Sequence, residues 1–290
     1  MTIKIQTLCL ATIALGGFAF AFQSSKKTSR QDGAIPAVAE PEIHIYRADK
    51  LAGMEIMGGG DVPIGKLDAL IVDSADGQLA YAVISEGGLL GVGGSRRLVP
   101  WIALYFTPKS KPSKKSEGEC EIRTLLTSEQ LGACPSFKKG VAILPAVERQ
   151  AFVCAKLPAD PTIGQAEPGR LVSTADIDGS KLRGKQNEEL GKIEHVMIDP
   201  MEGRIAYSVV ELGKLQVALP WQKTTVSLDQ DQNLFVVTDV PRERIEASPP
   251  YVEKDCKKMA CREWLEELAL HYEVEPYWTK SVPVVAEQKR

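Results

Sequence analysis

The segment Ile64 to Ile84 (IGKLDALIVDSADGQLAYAVI) recurs without a gap as Leu190 to Val210 (LGKIEHVMIDPMEGRIAYSVV), 126 positions later. Gly65 and Gly191, Lys66 and Lys192, Asp73 and Asp199, Gly77 and Gly203, Ala80 and Ala206, Tyr81 and Tyr207, Val83 and Val209 are identical pairs. Upstream, Lys50-Leu51-x-Gly53 answers Lys181-Leu182-x-Gly184, and downstream Pro100-Trp101 answers Pro220-Trp221 after a shorter loop. Leu126-Thr127 with Ala133-x-Pro135-x-Phe137 is read against Val237-Thr238 with Ala247-x-Pro249-x-Tyr251. Self-similarity over this much of a chain constrains the fold more than any other feature, because both copies must bury the same apolar pattern in the same way.

Each copy reads as β. Gly65 to Val72 and Gln78 to Ser85 are aliphatic and β-branched runs, joined by Asp73-Ser74-Ala75-Asp76-Gly77 in copy one and by Asp199-Pro200-Met201-Glu202-Gly203 in copy two. Pro200 presets φ for a type I turn, the Asp accepts from turn amides, and Gly77 or Gly203 takes the φ > 0 position that follows. Further strands are expected at Arg97 to Phe106, Glu119 to Leu126, Leu215 to Trp221 and Asn233 to Thr238. Short strands at close spacing, with no helical period between them, predict a mainly β chain of two tandem small antiparallel barrels, six strands each. A stripe of Cys261, Leu265, Leu268 and Tyr272 predicts an amphipathic C-terminal helix over Asp255 to Glu273 that docks on a barrel.

The ends read differently. Lys4 precedes an apolar run from Leu8 to Phe22, and Ala19-Phe20-Ala21 offers small residues for a signal peptidase, so residues 1–22 are expected to be a secretory signal cut near Ala21, with an uncleaved anchor as the alternative. Lys26, Lys27 and Arg30 just after the run weigh against export. The expected organisation is a linker over 23–41, barrel one over 42–150, an interdomain linker over 151–170, barrel two over 171–251, a helix with a Pro-Tyr-Trp tail over 252–278, and a disordered end over 279–290.

Several motifs of copy one carry a family likeness. Ala48-Asp49-Lys50-Leu51-x-Gly53-Met54, Ile64-Gly65-Lys66-Leu67 to Asp73, Gly87-Gly88-Leu89-Leu90-Gly91-Val92-Gly93, and Val99-Pro100-Trp101-x-x-Leu104 resemble the successive motifs of the PRC-barrel family, named for the photosynthetic reaction-centre H subunit. The resemblance covers about Glu42 to Phe137 and Leu171 to Tyr251; copy two lacks the glycine-rich stretch and has Glu211-Leu212-Gly213-Lys214 there. It implies a barrel that docks on a larger complex, with no shared reaction. His271-Tyr272-x-x-Glu275-Pro276-Tyr277-Trp278 is similar to the tail of some bacterial members.

Chemistry-bearing patterns are sparse. The stretch Gly87, Gly88, Gly91 and Gly93 could line an anion site with backbone amides, yet Gly91-x-Gly93-x-x-Arg96 lacks a third glycine and is flanked by strands, so it fits no dinucleotide fingerprint. Arg96 and Arg97, placed on that loop, are candidates for meeting an acidic partner, and Trp101 and Trp221 either bind a partner or close a barrel core. The basic run Lys109 to Lys115 offers peripheral contact with an anionic membrane. Cys9 leaves with the signal, and the five that remain are an odd count that leaves at least one thiol over; Cys120 and Cys134 are candidates for a local disulfide, while thiol catalysis by Cys256 or Cys261 is the weaker alternative. The histidines His44, His195 and His271 have no second ligand at metal spacing, and with 35 basic against 38 acidic residues there is no footprint for nucleic acid. No metal and no cofactor is expected. The function so read is a non-catalytic binding or assembly module of the cell envelope with a protein partner, the alternatives being an envelope enzyme or thiol-dependent factor and a membrane-surface module.

Overall fold

The structure is a computed structural model that describes residues 43–87, 94–108, 120–158, 170–255 and 259–279. The expected signal, the linker ahead of Glu42 and the basic run lie outside the described residues. Copy one runs β1 (Tyr46–Arg47), α1 (Ala48–Leu51), β2 (Glu55–Met57), β3 (Pro63–Asp73), β4 (Leu79–Glu86), β5 (Ser95–Pro100), β6 (Leu104–Pro108), β7 (Cys120–Thr124), α2 (Ser128–Ala133) and α3 (Pro145–Cys154). Copy two repeats the order as β8 (Leu171–Ser173), α4 (Thr174–Ile177), β9 (Lys181–Gly184), β10 (Glu189–Asp199), β11 (Arg204–Leu212), β12 (Leu215–Pro220), β13 (Thr224–Leu228), β14 (Leu234–Thr238), α5 (Arg242–Glu246) and α6 (Arg262–His271).

The fold is mainly β and tandem, as the repeat requires. Each copy forms a six-strand path, β5-β4-β3-β2-β7-β6 and β12-β11-β10-β9-β14-β13. Two details differ from the expected antiparallel barrels. The β2–β7 and β9–β14 ladders are parallel, and among the described residues the end strands of each path do not pair, so neither sheet closes. The single strand expected over Arg97 to Phe106 breaks at a 3₁₀ turn, Trp101–Ala103, and Trp221–Lys223 repeats that break. Each break follows a proline, which withholds a ladder donor.

The hairpin turns form as read. Asp73 accepts from the Ala75 amide at 2.9 Å and Asp199 from the Met201 and Glu202 amides at 3.0 Å, while Gly77 and Gly203 sit at φ +75° and +63°. Two registers differ from those expected. Upstream, Gly53 answers Gly179 and not Gly184, since Gly53 N–H donates to Leu67 O at 2.6 Å as Gly179 N–H donates to Ile193 O at 2.7 Å. Downstream the shift is three residues. Thr238 answers Thr124, not Thr127: Thr124 Oγ1 donates to Ala103 O at 2.8 Å and accepts from Leu126, as Thr238 Oγ1 donates to Lys223 O at 2.7 Å and accepts from Val240.

The two copies interlock about a pseudo-twofold axis. The opening strand β1 of copy one pairs with β10 of copy two, Tyr46 opposite Ile198, and β8 of copy two pairs with β3 of copy one, Val172 opposite Val72. The hairpins meet in the same sense, Leu79 N–H donating to Gly203 O and Ile205 N–H to Gly77 O, both at 2.8 Å. One hydrophobic cluster accordingly runs through both copies. Each copy thus completes the other's sheet, which removes two strand edges that would otherwise be open.

Helices α3 and α6 cover equivalent places, on β5 and on β12. Docking of the C-terminal helix is as expected, though it begins only after Cys261. Helix α3 lies where the sequence reading placed the end of barrel one and the start of a linker; Pro145 opens it and Ala151 and Phe152 bury its inner face against Tyr81.

Candidate functional site

The sequence-nominated residues do not converge on one site. Gly87 sits at φ +65° beside β4, and Gly88, Gly91 and Gly93 lie outside the described residues. Arg96 and Arg97 are on β5 and not on the loop, and both are held by carboxylates of their own sheet: Arg96 Nε lies 3.0 Å from Asp68, and Arg97 Nε donates to Glu86 at 3.0 Å while its Nη1 donates to Cys134 O. Both guanidinium groups thus already have carboxylate partners within the chain, Arg96 being the more exposed of the two.

Trp101 and Trp221 are only 7% and 2% exposed, so of the two readings burial fits the one in which they close a core and corrects the one in which they meet a partner. Each ring lies on the turn glycine of the opposite copy. A Cβ built at Gly77 would stand 2.5 Å from Cδ1 of Trp221, and one at Gly203 would stand 3.0 Å from Nε1 of Trp101. The identical Trp and Gly pairs in the sequence are thus two halves of one reciprocal contact, which demands a glycine for close approach as well as for φ.

The disulfide joins Cys134 to Cys154, not Cys134 to Cys120. Cys120 points into the barrel core from β7, whereas Cys134 ends α2 beside the last turn of α3. The bridge ties the covering helix α3 to the end of α2. Cys261 stands at the N-terminal boundary of α6 without a side-chain capping bond, and Cys256 lies outside the described residues.

The Pro-Tyr-Trp tail forms a clasp over copy two. Tyr277 is buried, its hydroxyl donates to Asp199 Oδ2 at 2.8 Å, and its carbonyl accepts from Arg204 at 3.2 Å. Burial pushes the Asp199 carboxyl above its ordinary value, and burial beside Asp199 pushes the Tyr277 phenol well above its own. Gln222 Nε2 donates to Glu275 O at 3.3 Å, and Arg262 lies over the Trp278 ring.

Surfaces that should match under the pseudo-twofold do not. Ile102, Tyr105 and Leu125 of copy one are exposed by 48%, 52% and 77%, while their counterparts in copy two are Gln222, Thr225 and Asp239. Tyr105 pairs with Arg123 on β7, and Leu125 follows two residues on, so the two side chains are diagonal neighbours on one outward face, with Ile102 in the turn that opens β6. The sequence reading missed this strip. Comparing the two copies position by position, instead of seeking motifs, would have found it.

A family comparison settles the lineage. The PRC-barrel domain model matches residues 44–114 and 170–244, one segment in each copy. The chain belongs to the PRC-barrel family. No curated protein matches it. PRC-barrel domains are in general non-catalytic modules, and that coarse reading extends to this chain. In this PRC-barrel pair the second match takes in β8, the strand that copy two lends to copy one.

Proposed function

We propose that this PRC-barrel pair is a docking module of the cell envelope that binds a protein complex through the outer face of copy one. The asymmetric strip carries the reading. A duplicated scaffold supplies both copies with the same frame, yet copy one exposes Ile102, Tyr105 and Leu125 where copy two exposes polar groups. Exposed aliphatic and aromatic side chains beside charged ones, here Arg123 with Asp61 and Glu121, match the composition of a protein interface with a polar rim. Placement in the envelope draws support from the Cys134–Cys154 disulfide, a bond favoured in oxidising compartments, and from the apolar run Leu8 to Phe22.

The twin surface supplies its own control. A photo-crosslinking residue placed at Ile102, Tyr105 or Leu125 in the native cell should give discrete adducts to a protein partner. The same residue at Gln222, Thr225 or Asp239 should give few. Equal labelling from both copies, or none from copy one, would refute the assignment.

A further inference from the structure

We propose that the cavity between α1 and α4 is a binding site for a small organic cation, a primary ammonium on a short aliphatic body. The cavity has a volume of ≈ 150 Å³ and lies beside β3 at the junction of the copies. Cavities of that size accept a molecule of about six heavy atoms, on the scale of benzene. Its apolar wall comes largely from short side chains, Ala52, Ala69 and Ala175 among them.

Three carboxylates border the space. Asp49 is held by Arg47 at 2.7 Å and Asp68 by Arg96 at 3.0 Å. Asp178 receives the Val196 amide at 2.9 Å, and no cationic side chain among the described residues bonds to it. A half-buried carboxylate that no cationic side chain among the described residues bonds, with Arg47 acting on it only from a distance, borders an alanine-lined hole and is suited to a ligand that brings one positive charge and a hydrocarbon body.

The repeat sharpens the argument, because neither feature belongs to the shared scaffold. Asp178 stands where copy one has Ala52, and Ala69 stands where copy two has His195. Burial holds the Asp178 carboxyl up at about 6; Asp49 and Glu194 raise it further and Arg47 lowers it. Asp68 faces the cavity from β3, and His195 on β10 shares Arg47, Asp49 and Glu194 as neighbours.

Amide NMR of the full chain tests the site, with n-butylammonium as the probe and n-butanol as its neutral counterpart. The ammonium should give saturable shifts at Ala69, Thr174 and Val196, with n-butanol at least tenfold weaker. Affinity should fall about tenfold between pH 7.5 and pH 5, as Asp178 takes up its proton. Asp178→Asn, which keeps an acceptor for Val196, should weaken binding at least tenfold, and Ala69→His, the side chain that copy two carries there, should obstruct the cavity. Absence of saturable shifts would overturn the proposal. So would n-butanol binding as well as the ammonium, or unaltered affinity in Asp178→Asn, since either would mean an apolar hole. Should Ala69→His fail to fold, the Asp178→Asn and n-butanol comparisons decide alone.

Discussion

Replacing Gly77 with alanine perturbs the junction of the two copies at its tightest point. The residue sits at φ +75°, and the added Cβ would stand 2.5 Å from Cδ1 of Trp221. Left-handed backbone costs a non-glycine residue about 1–2 kcal/mol. The indole must also retreat by about 1 Å to restore ordinary carbon contact near 3.5 Å, and overpacking of that kind costs about 1–3 kcal/mol. The two effects together come to roughly 2–5 kcal/mol. Gly213, at φ +67° with nothing within 4 Å of its would-be Cβ, carries only the backbone part. Gly203, with Nε1 of Trp101 at 3.0 Å, falls between them. Urea unfolding of the three alanine variants, followed by far-UV circular dichroism, should rank the losses Gly77, Gly203, Gly213. Adding Trp221→Phe should shrink the cost of Gly77→Ala, with a coupling of about 0.5–3 kcal/mol. Equal losses at Gly77 and Gly213, or no coupling to Trp221, would refute the reciprocal contact.

Other consequences are open to test. Reducing the Cys134–Cys154 bond, or changing both residues to serine, frees a loop with a sequence separation of 20; stability should drop by about 3 kcal/mol in chemical denaturation. Tyr277→Phe removes the hydroxyl bond to buried Asp199, and a loss of about 1–3 kcal/mol, with faster proteolysis of the tail, is expected. Asp178 holds its proton more tightly folded than unfolded, so its favourable contribution is complete below about pH 4 and is lost as pH rises through about 6. Discounted for partial exposure, the loss is about 1–3 kcal/mol. His195 acts in the opposite sense, because burial lowers its pKa and its contribution is lost as pH falls. The difference in pH dependence between the parent and Asp178→Asn, read from urea midpoints at pH 4 and pH 7, isolates the carboxyl.

What the sequence disclosed was local or periodic. The Asp199-Pro200 turn with Gly203 is written in consecutive residues, and the apolar stripe ending at Tyr272 needs only helical spacing. Strand exchange was hidden for a physical reason. Since β3 and β10 are near copies, β1 would find an equivalent edge on either, and tertiary connection chooses between them. Cys154 lies on α3, which the sequence reads as the end of barrel one and the start of a linker, whereas Cys120 and Cys134 stand closer in sequence but on β7 and at the end of α2. Trp101 and Trp221 were visible as a repeated pair, but their glycine neighbours belong to the opposite copy.

Cross-strand nuclear Overhauser effects test the interlocked pair most directly. Backbone contacts between Tyr46 and Ile198, and between Val172 and Val72, are expected from the reciprocal strands. Contacts from Tyr46 to Val72 and from Val172 to Ile198 would mean that each copy keeps its own opening strand, and would contradict the account.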